Sequence, residues 1–154
     1  MKYVVGARGS KLSMAQTNWV ISELKKVNSD CEYEIKPITT KGDTDTRPLF
    51  TIEQKGIFEK EIDKAVAAKE IDFAVHSLKD VPSELADNLI IASIPKREKV
   101  NDVFISSDDS SLDKIKPGSV IGTSSLRRAV QISRQRSDVT VKPIRGNIET
   151  RINK

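Results

Sequence analysis

The chain has 154 residues, of which 37% are apolar and 31% charged, with a net charge of +4. These fractions are typical of a globular protein and exclude wholesale disorder. No apolar run approaches the roughly 20 residues that a membrane-spanning helix needs, and the apolar stretch near the N-terminus is too short for a signal peptide. We therefore expect a cytoplasmic protein without a membrane partner.

The first third of the chain predicts a β-α-β unit. Residues 3–7 form a short β-type run, and Ser10 is a plausible N-cap for a helix whose apolar side chains recur at helical spacing over residues 12–27. Apolar and charged residues then alternate over 33–38, which predicts a second strand. Two strands joined by a helix indicate a parallel sheet.

A long polar segment and three further elements follow. Residues 40–56 are rich in turn-forming residues, and a loop of this length is usually functional or mobile. We predict a helix over 58–69, a third strand over 71–76 and a fourth over 89–94, which Pro95 ends. Residues 1–96 are thus expected to form a first α/β lobe.

The remaining residues, 97–154, predict part of a second α/β lobe. We expect a strand over 102–106 that crosses between the lobes, a short strand at 120–121, a helix over 126–136 and a strand over 139–144. A helix should begin after Asn147. Because that last element has no visible partner, we expect this lobe to be incomplete.

Charge and cysteine content limit the function classes. Residues 1–113 carry a net charge of −4 and residues 114–154 a net charge of +8, so we expect the C-terminal part to bind an anion. One cysteine, Cys31, and one histidine, His76, exclude an internal disulfide and do not make an ordinary zinc site. No metal is expected, and Cys31 is interpreted as a partly buried residue beside a strand.

Candidate binding residues cluster where the predicted strands end. In parallel sheets ligands lie outside the carboxyl ends of the strands. These ends carry the sequences Arg8-Gly9-Ser10, Ser77-Leu78-Lys79-Asp80, Gly122-Thr123-Ser124-Ser125 and Arg145-Gly146-Asn147. We expect them to line one cleft for carboxylates or phosphates, although serine caps followed by a solvated arginine pair would give the same pattern.

Other chemistries are less well supported by the residues. There is no Gly-x-x-x-x-Gly-Lys-Ser/Thr loop and no Gly-x-Gly-x-x-Gly fingerprint, which disfavours nucleotide binding. Serine–histidine catalysis is unattractive because His76 and Ser77 are adjacent and point to opposite faces of an extended chain. Arg134 and Arg136 follow the arginine pair on the same helix and are interpreted as solvated surface charges.

Taken together, five motifs resemble those of the porphobilinogen deaminase (hydroxymethylbilane synthase) family. They are Arg8-Gly9-Ser10-Lys11-Leu12 with Gln16; Lys55-Gly56-Ile57-Phe58-Glu59-Lys60-Glu61; Ala74-Val75-His76-Ser77-Leu78-Lys79-Asp80-Val81-Pro82; Gly122-Thr123-Ser124-Ser125-Leu126-Arg127-Arg128 with Gln131; and Arg145-Gly146-Asn147 with Thr150-Arg151. They occur in the family's order along the whole chain.

The resemblance implies a transferase of heme and other tetrapyrrole (porphyrin) biosynthesis, expected to be monomeric. Such enzymes join four porphobilinogen molecules head to tail, releasing ammonia each time, on a dipyrromethane cofactor attached to a cysteine. The implied fold has two lobes like those of periplasmic binding proteins, and a third domain that carries the cysteine. The family chain is about twice as long as this one, so we expect the third domain to be absent and this chain to be inactive alone.

The resemblance also implies residue roles. Asp80 resembles the catalytic carboxylate, which would stabilise a cationic methylene-pyrrole, and Lys55 and Phe58 resemble part of a mobile loop near the site. The residues that resemble substrate- and cofactor-binding groups are Arg8, Ser10, Gln16, Ser77, Lys79, Thr123, Ser124, Ser125, Arg127, Arg128, Arg145, Gly146 and Arg151. Cys31 lies outside every motif, so it does not take the place of the cofactor cysteine.

Two other functions remain open from the residues alone. A non-catalytic domain that binds a small carboxylate or phosphate would need only arginine-lined strand ends, although Asp80 would weaken anion binding there. A nucleic-acid-binding module would use the basic C-terminal segment. That segment has no aromatic residue after Phe104 and matches no known DNA- or RNA-binding motif, so we expect no nucleic-acid partner.

Overall fold

The computed structural model describes residues 1–45 and 57–154. The described residues divide into two compact units, the first formed by residues 1–45 and 57–96 and the second by residues 97–154. Both are mixed α/β structures built on parallel strands. The predicted loop over 40–56, including Lys55, falls mostly outside the described residues.

The first unit contains a three-stranded parallel sheet. Its strands are β1 (Lys2–Ala7), β2 (Glu32–Pro37) and β3 (Phe73–Ala74), in the order β2-β1-β3. Ala7 pairs with Pro37 and Gly6 with Ala74, so the three strands end at the same edge of the sheet. The sheet therefore brings the residues that follow β1 and β3 close together, as the β-α-β pattern predicted.

Three helices accompany this sheet: α1 (Lys11–Val27), α2 (Lys41–Thr44) and α3 (Lys60–Ala67). Ser10 caps α1 by accepting a 3.3 Å hydrogen bond from the backbone N–H of Ser13, which confirms the predicted N-cap. A small core forms where α3 packs on the sheet, built from Ile62, Ala65 and Ile71.

The second unit has the same pattern on a smaller scale. Strand β4 (Val120–Gly122) pairs in parallel with β5 (Thr140–Lys142), and the helices α4 (Leu126–Gln135) and α5 (Ile148–Ile152) follow them. The predicted helix over 126–136 is confirmed, whereas the strand predicted over 139–144 is shorter. No helix among the described residues is long and apolar enough to cross a membrane.

Two strand predictions are wrong. Residues 89–94 and 102–106 have no strand structure, and their apolar side chains remain largely exposed, with Ile90 84% and Val103 82% accessible. A strand is stable only when a neighbouring strand takes its backbone hydrogen bonds, and the described residues provide none here. Alternating hydrophobicity in the sequence does not reveal whether such a neighbour exists.

Arg136, which the sequence presented as a solvated charge, is a structural residue. Its side chain is only 14% exposed and ion-pairs with Asp138 at 2.8 Å. Its guanidinium also donates to the backbone carbonyls of Leu112 at 2.6 Å and Ile115 at 2.8 Å. Arg136 therefore ties the irregular segment before β4 to the end of α4. Arg134, two residues earlier on α4, is exposed.

Candidate functional site

In the first unit, the segments that follow β1 and β3 are joined directly. The hydroxyl of Ser77 donates a 3.1 Å hydrogen bond to the side-chain oxygen of Gln16, which lies 61 positions earlier on α1. The structure thus brings together two of the residues expected to bind ligand. The sheet edge at which they meet is the edge that the sequence predicted for ligands.

Arg8, directly after β1, is held on several sides. Its Nε lies 3.2 and 3.3 Å from the two carboxylate oxygens of Asp43 on α2, and its Nη2 also donates to Asp43. Its guanidinium carbon lies 4.2 Å from the centre of the Phe58 ring, a cation–π geometry. Arg8 is therefore fixed by the protein itself.

Asp80 sits in a single 3-10 turn, Leu78–Asp80, that follows Ser77. Its backbone N–H donates to the carbonyl of Ser77 at 2.9 Å, which closes the turn. Lys79 is exposed and Asp80 is partly buried. The turn thus holds a carboxylate and an ammonium group next to each other at the sheet edge, while Ser77 anchors the turn to α1.

Behind Asp80 lies a group of acidic side chains around His76. Burial lowers the pKa of His76, an effect that Asp63 and Asp80 oppose. Its Nε2 is 3.6 Å from a carboxylate oxygen of Asp63. Burial raises the pKa of Asp63 and of Glu59, and nearby Asp63 and Asp80 raise that of Glu59 further.

Sequence reasoning missed the part played by Glu59 and Asp63. Asp63 lies on α3 and Glu59 is the N-cap residue directly before this helix, and their four-residue separation is a visible helical signal. Nothing in the sequence shows that Asp63 meets His76, because that contact depends on how α3 packs against β3.

In the second unit, the hydroxyls of the Gly122–Ser125 turn are used by the fold. Ser124 donates to the carbonyl of Ile144, and the backbone N–H of Ser125 donates to the Thr123 hydroxyl at 3.2 Å. Ser125 caps α4 by accepting from the N–H of Arg128 at 3.4 Å. These groups hold the two strand ends together, which is the structural alternative that the sequence left open.

Three arginines of the second unit, Arg128, Arg145 and Arg151, influence one another electrostatically. Burial lowers the pKa of Arg151, and the positive charges of Arg145 and Arg128 lower it further. The Nε of Arg151 donates to the carbonyl of Gly146 at 2.7 Å. Gly146 has φ +117°, and a Cβ there would lie 2.6 Å from Thr150, so only glycine fits the turn that presents these groups.

Arg128 is also paired with an aspartate. Its Nε donates to Asp102 at 2.8 Å and its Nη2 to the other carboxylate oxygen, which gives a two-point contact. The hydrogen bond from Arg128 lowers the pKa of Asp102, to which the charge of nearby Arg127 adds. Arg127 itself is exposed. The second unit thus presents clustered guanidinium groups at the ends of parallel strands.

Cys31 lies at the opposite edge of the first unit's sheet. It is partly buried, as predicted, and directly precedes β2. Six residues of β2 separate it from the carboxyl edge, a span of about 20 Å at the usual rise of a strand. Cys31 therefore does not lie among the candidate ligand-binding residues.

The fold and these side chains define a class: an α/β protein that presents cationic and hydroxyl groups where parallel strands end. Comparison with known proteins specifies it further. A family model described as porphobilinogen deaminase, dipyromethane cofactor binding domain, matches residues 3–154. The chain belongs to the porphobilinogen deaminase family.

The curated relatives agree with this assignment. A protein of Nitrosopumilus maritimus (strain SCM1) named probable porphobilinogen deaminase is 82% identical over 154 residues, which are 100% of this chain and 50% of that protein. Porphobilinogen deaminases of Listeria monocytogenes serovar 1/2a (strain ATCC BAA-679 / EGD-e) and Shouchella clausii (strain KSM-K16) are 51% and 50% identical over 99% of this chain. The chain spans about half the length of the curated relatives it matches.

Proposed function

We propose that this chain supplies substrate-binding and catalytic residues of a hydroxymethylbilane synthase, a transferase that joins four porphobilinogen molecules and releases ammonia at each step. The observation that carries the proposal is the joined strand edge of the second unit, where hydrogen bonds from Ser124 to the Ile144 carbonyl and from the Thr123 N–H to the Lys142 carbonyl bring together the segments that bear Arg128 and Arg145. Each porphobilinogen has two carboxylates, and guanidinium groups pair with carboxylates in two-point contacts. The enzyme is proposed to be cytoplasmic and monomeric.

Each unit has its own part in this proposal. In the second unit, Arg127, Arg128, Arg145 and Arg151 bind acetate and propionate side chains. In the first unit, Asp80 stabilises the positive charge that develops on the substrate as ammonia leaves, because a fixed carboxylate lowers the energy of a nearby cation. The two units are proposed to be lobes like those of periplasmic binding proteins, over residues 1–96 and 97–154, and the division of the described residues near position 97 supports that boundary.

The residues of this chain fit one part of the family's dipyrromethane cofactor, its carboxylates, but not its covalent attachment. When bound, it supplies the pyrrole to which substrate units are added. Its carboxylates fit the guanidinium groups of Arg128, Arg145 and Arg151, which would hold them at the joined strand edge of the second unit. Its covalent attachment does not fit Cys31, the only cysteine of this sequence, which lies at the opposite edge of its sheet.

The proposal is tested by replacing Asp80 in a chain extended to the relatives' full length with the remaining sequence of the Nitrosopumilus protein. Asp80→Asn keeps the shape of the side chain and removes its charge. We expect bilane formation to fall roughly 100- to 1,000-fold, the usual cost of losing one electrostatic group that acts on the transition state. The measurement is the initial rate of bilane formation from porphobilinogen.

Asp87→Asn provides the matched control. Asp87 is exposed in the same segment, and its replacement makes the same change in charge. This variant should retain the parent rate. Near-normal turnover by Asp80→Asn would contradict the assignment of Asp80, and an extended chain that binds carboxylates without making bilane would favour the non-catalytic anion-binding domain.

A further inference from the structure

We propose that Asp43 is a positioning residue that, together with Phe58, fixes the Arg8 guanidinium so that one edge remains for a carboxylate ligand. The inference rests on the proposed function, in which Arg8 binds a carboxylate of the substrate, and adds the residues that give this arginine its specificity. It concerns the first unit only.

The contact with Asp43 uses one defined edge of the guanidinium. Hydrogen bonds from Nε at 3.2 and 3.3 Å and from Nη2 reach the same carboxylate. Arginine has five N–H donors in a planar fork, and the opposite edge formed by Nη1 and Nη2 makes a second two-point site. Within the described residues, the protein contacts of Arg8 leave that second edge for a ligand.

The ring of Phe58 restricts the face of the Arg8 guanidinium, whereas Asp43 holds one of its edges. Phe58 lies against the face of the guanidinium, with 4.2 Å between the guanidinium carbon and the ring centre. The ring is held in place by α2, because a Cβ at Gly42 would lie 2.2 Å from two of its carbons. The N–H of Gly42 also donates to the carbonyl of Ile57 at 2.7 Å. Glycine at this position permits the close approach.

A buried residue in turn fixes Asp43. Thr40 is 1% exposed, and both its backbone N–H, at 3.2 Å, and its hydroxyl, at 2.8 Å, donate to one oxygen of Asp43. Burial raises the pKa of Asp43, but the hydrogen bonds from Arg8 and Thr40 outweigh it and hold the pKa below its usual value. The Asp43 carboxylate is therefore charged, and both of its oxygens accept hydrogen bonds from the protein. This suits a positioning role rather than proton transfer.

This arrangement has a consequence for specificity. A mobile guanidinium loses rotational freedom when it makes a two-point contact, which offsets part of its preference for a carboxylate. One that presents a fixed edge favours a planar carboxylate, which accepts two parallel hydrogen bonds, over a spherical anion of equal charge. The structure therefore predicts that the first unit prefers acetate to chloride at Arg8, and that the preference depends on Asp43.

The test replaces chloride by acetate at constant ionic strength and follows the NMR signal of the Arg8 Nε–H in the 154-residue chain. Asp43→Asn should lower the acetate-over-chloride preference about fivefold, since the two-point anchor becomes a single weak acceptor. Thr40→Val, which leaves the net charge unchanged, should lower it by a smaller factor. Phe58→Leu should lower it by removing the ring from the guanidinium face.

Glu70→Gln is the matched control. Glu70 lies in the same unit and pairs with Lys36 at 3.2 Å on the surface, so its replacement makes the same charge change as Asp43→Asn without touching Arg8. Its acetate preference should equal that of the parent chain. An unchanged preference in both Asp43→Asn and Thr40→Val, or an equal loss in Glu70→Gln, would overturn the proposal.

A second measurement separates this inference from the proposed function. In the full-length extended chain, Asp43→Asn should raise the KM for porphobilinogen more than it lowers kcat, because it disturbs binding and leaves Asp80 in place. A changed acetate preference without any bilane formation by the parent enzyme would contradict the proposed function but support the positioning role. Normal bilane formation with an unchanged KM and acetate preference would contradict the positioning role alone.

Discussion

At the scale of single residues, two of the arginines assigned to ligand binding already hold a carboxylate of the protein. Arg8 pairs with Asp43 and Arg128 with Asp102, each through Nε and Nη2. The first pair is largely buried and the second is about half exposed. Because exposed pairs contribute little to stability, the Arg128 pair is better suited to orienting the side chain than to holding the fold together.

The pKa of His76 reports whether the Asp80 carboxylate lies near the imidazole. Burial lowers its pKa from the ordinary 6.5, while Asp63 and Asp80 raise it. We expect Asp63→Asn and Asp80→Asn each to lower the pKa of His76 further, as followed by NMR of the imidazole. Since the folded pKa lies below the unfolded one, the contribution of His76 to stability is complete above pH 6.5 and is lost as the pH falls through the folded value.

The control for this titration is Glu70→Gln, which removes an exposed carboxylate whose charge pairs with Lys36 instead. It should leave the pKa of His76 unchanged. A rise, or no change, in the pKa of His76 in Asp80→Asn would show that the carboxylate does not lie beside the imidazole.

At the scale of elements, the helix starts show that two of the proposed substrate-binding residues have a structural role. Ser10 and Ser125 were expected to bind substrate, and both cap the helix that follows. A capping serine fixes the first turn of its helix and hence the direction of the neighbouring N–H groups. Ser10 thereby orients the start of α1 beside Arg8, and Ser125 orients the start of α4 beside Arg127.

Arg136 makes a testable contribution at this scale. Arg136→Ala should lower the melting temperature of the chain by roughly 5 °C, because it leaves the carbonyls of Leu112 and Ile115 without their donor. Thermal unfolding followed by circular dichroism measures the change. Arg134→Ala removes the same charge from the same helix and should have little effect, since Arg134 is exposed. Equal decreases in melting temperature in the two variants would contradict the structural role of Arg136.

At the scale of the whole molecule, the net positive charge and the only cysteine of the sequence belong to different units. The net positive charge lies in residues 114–154, which carry +8, whereas the only cysteine of the sequence precedes β2 in the first unit. Carboxylates can bind to the arginines without any covalent bond. A covalent pyrrole group would need a thiol as well, and residues 97–154 contain no cysteine.

We therefore expect the purified 154-residue chain to carry no covalent dipyrromethane. Denatured protein should give no lasting colour with Ehrlich's reagent, and its intact mass should equal that of the polypeptide. The full-length Nitrosopumilus relative, treated in the same way, serves as the positive control. A pyrrole colour with a matching added mass on Cys31 would contradict the expectation.

The local elements and the family could be inferred from the amino-acid sequence alone. The spacing of apolar residues predicted α1, α4 and the β-α-β unit, because helix and strand periods are properties of the local chain. The motifs identified the family and placed Arg8, Ser77 and Asp80 at strand ends, since parallel strands share one edge. These conclusions needed no knowledge of long-range contacts.

Contacts between side chains that are distant in the sequence became apparent only in the folded structure. The pairs Arg8–Asp43, His76–Asp63 and Arg128–Asp102 join residues from different elements, and no local pattern specifies them. The same reason explains the wrong strands over 89–94 and 102–106, because a strand exists only where another strand pairs with it. Arg136 looked like a surface charge because its partners, the carbonyls of Leu112 and Ile115, are backbone groups that a sequence does not display.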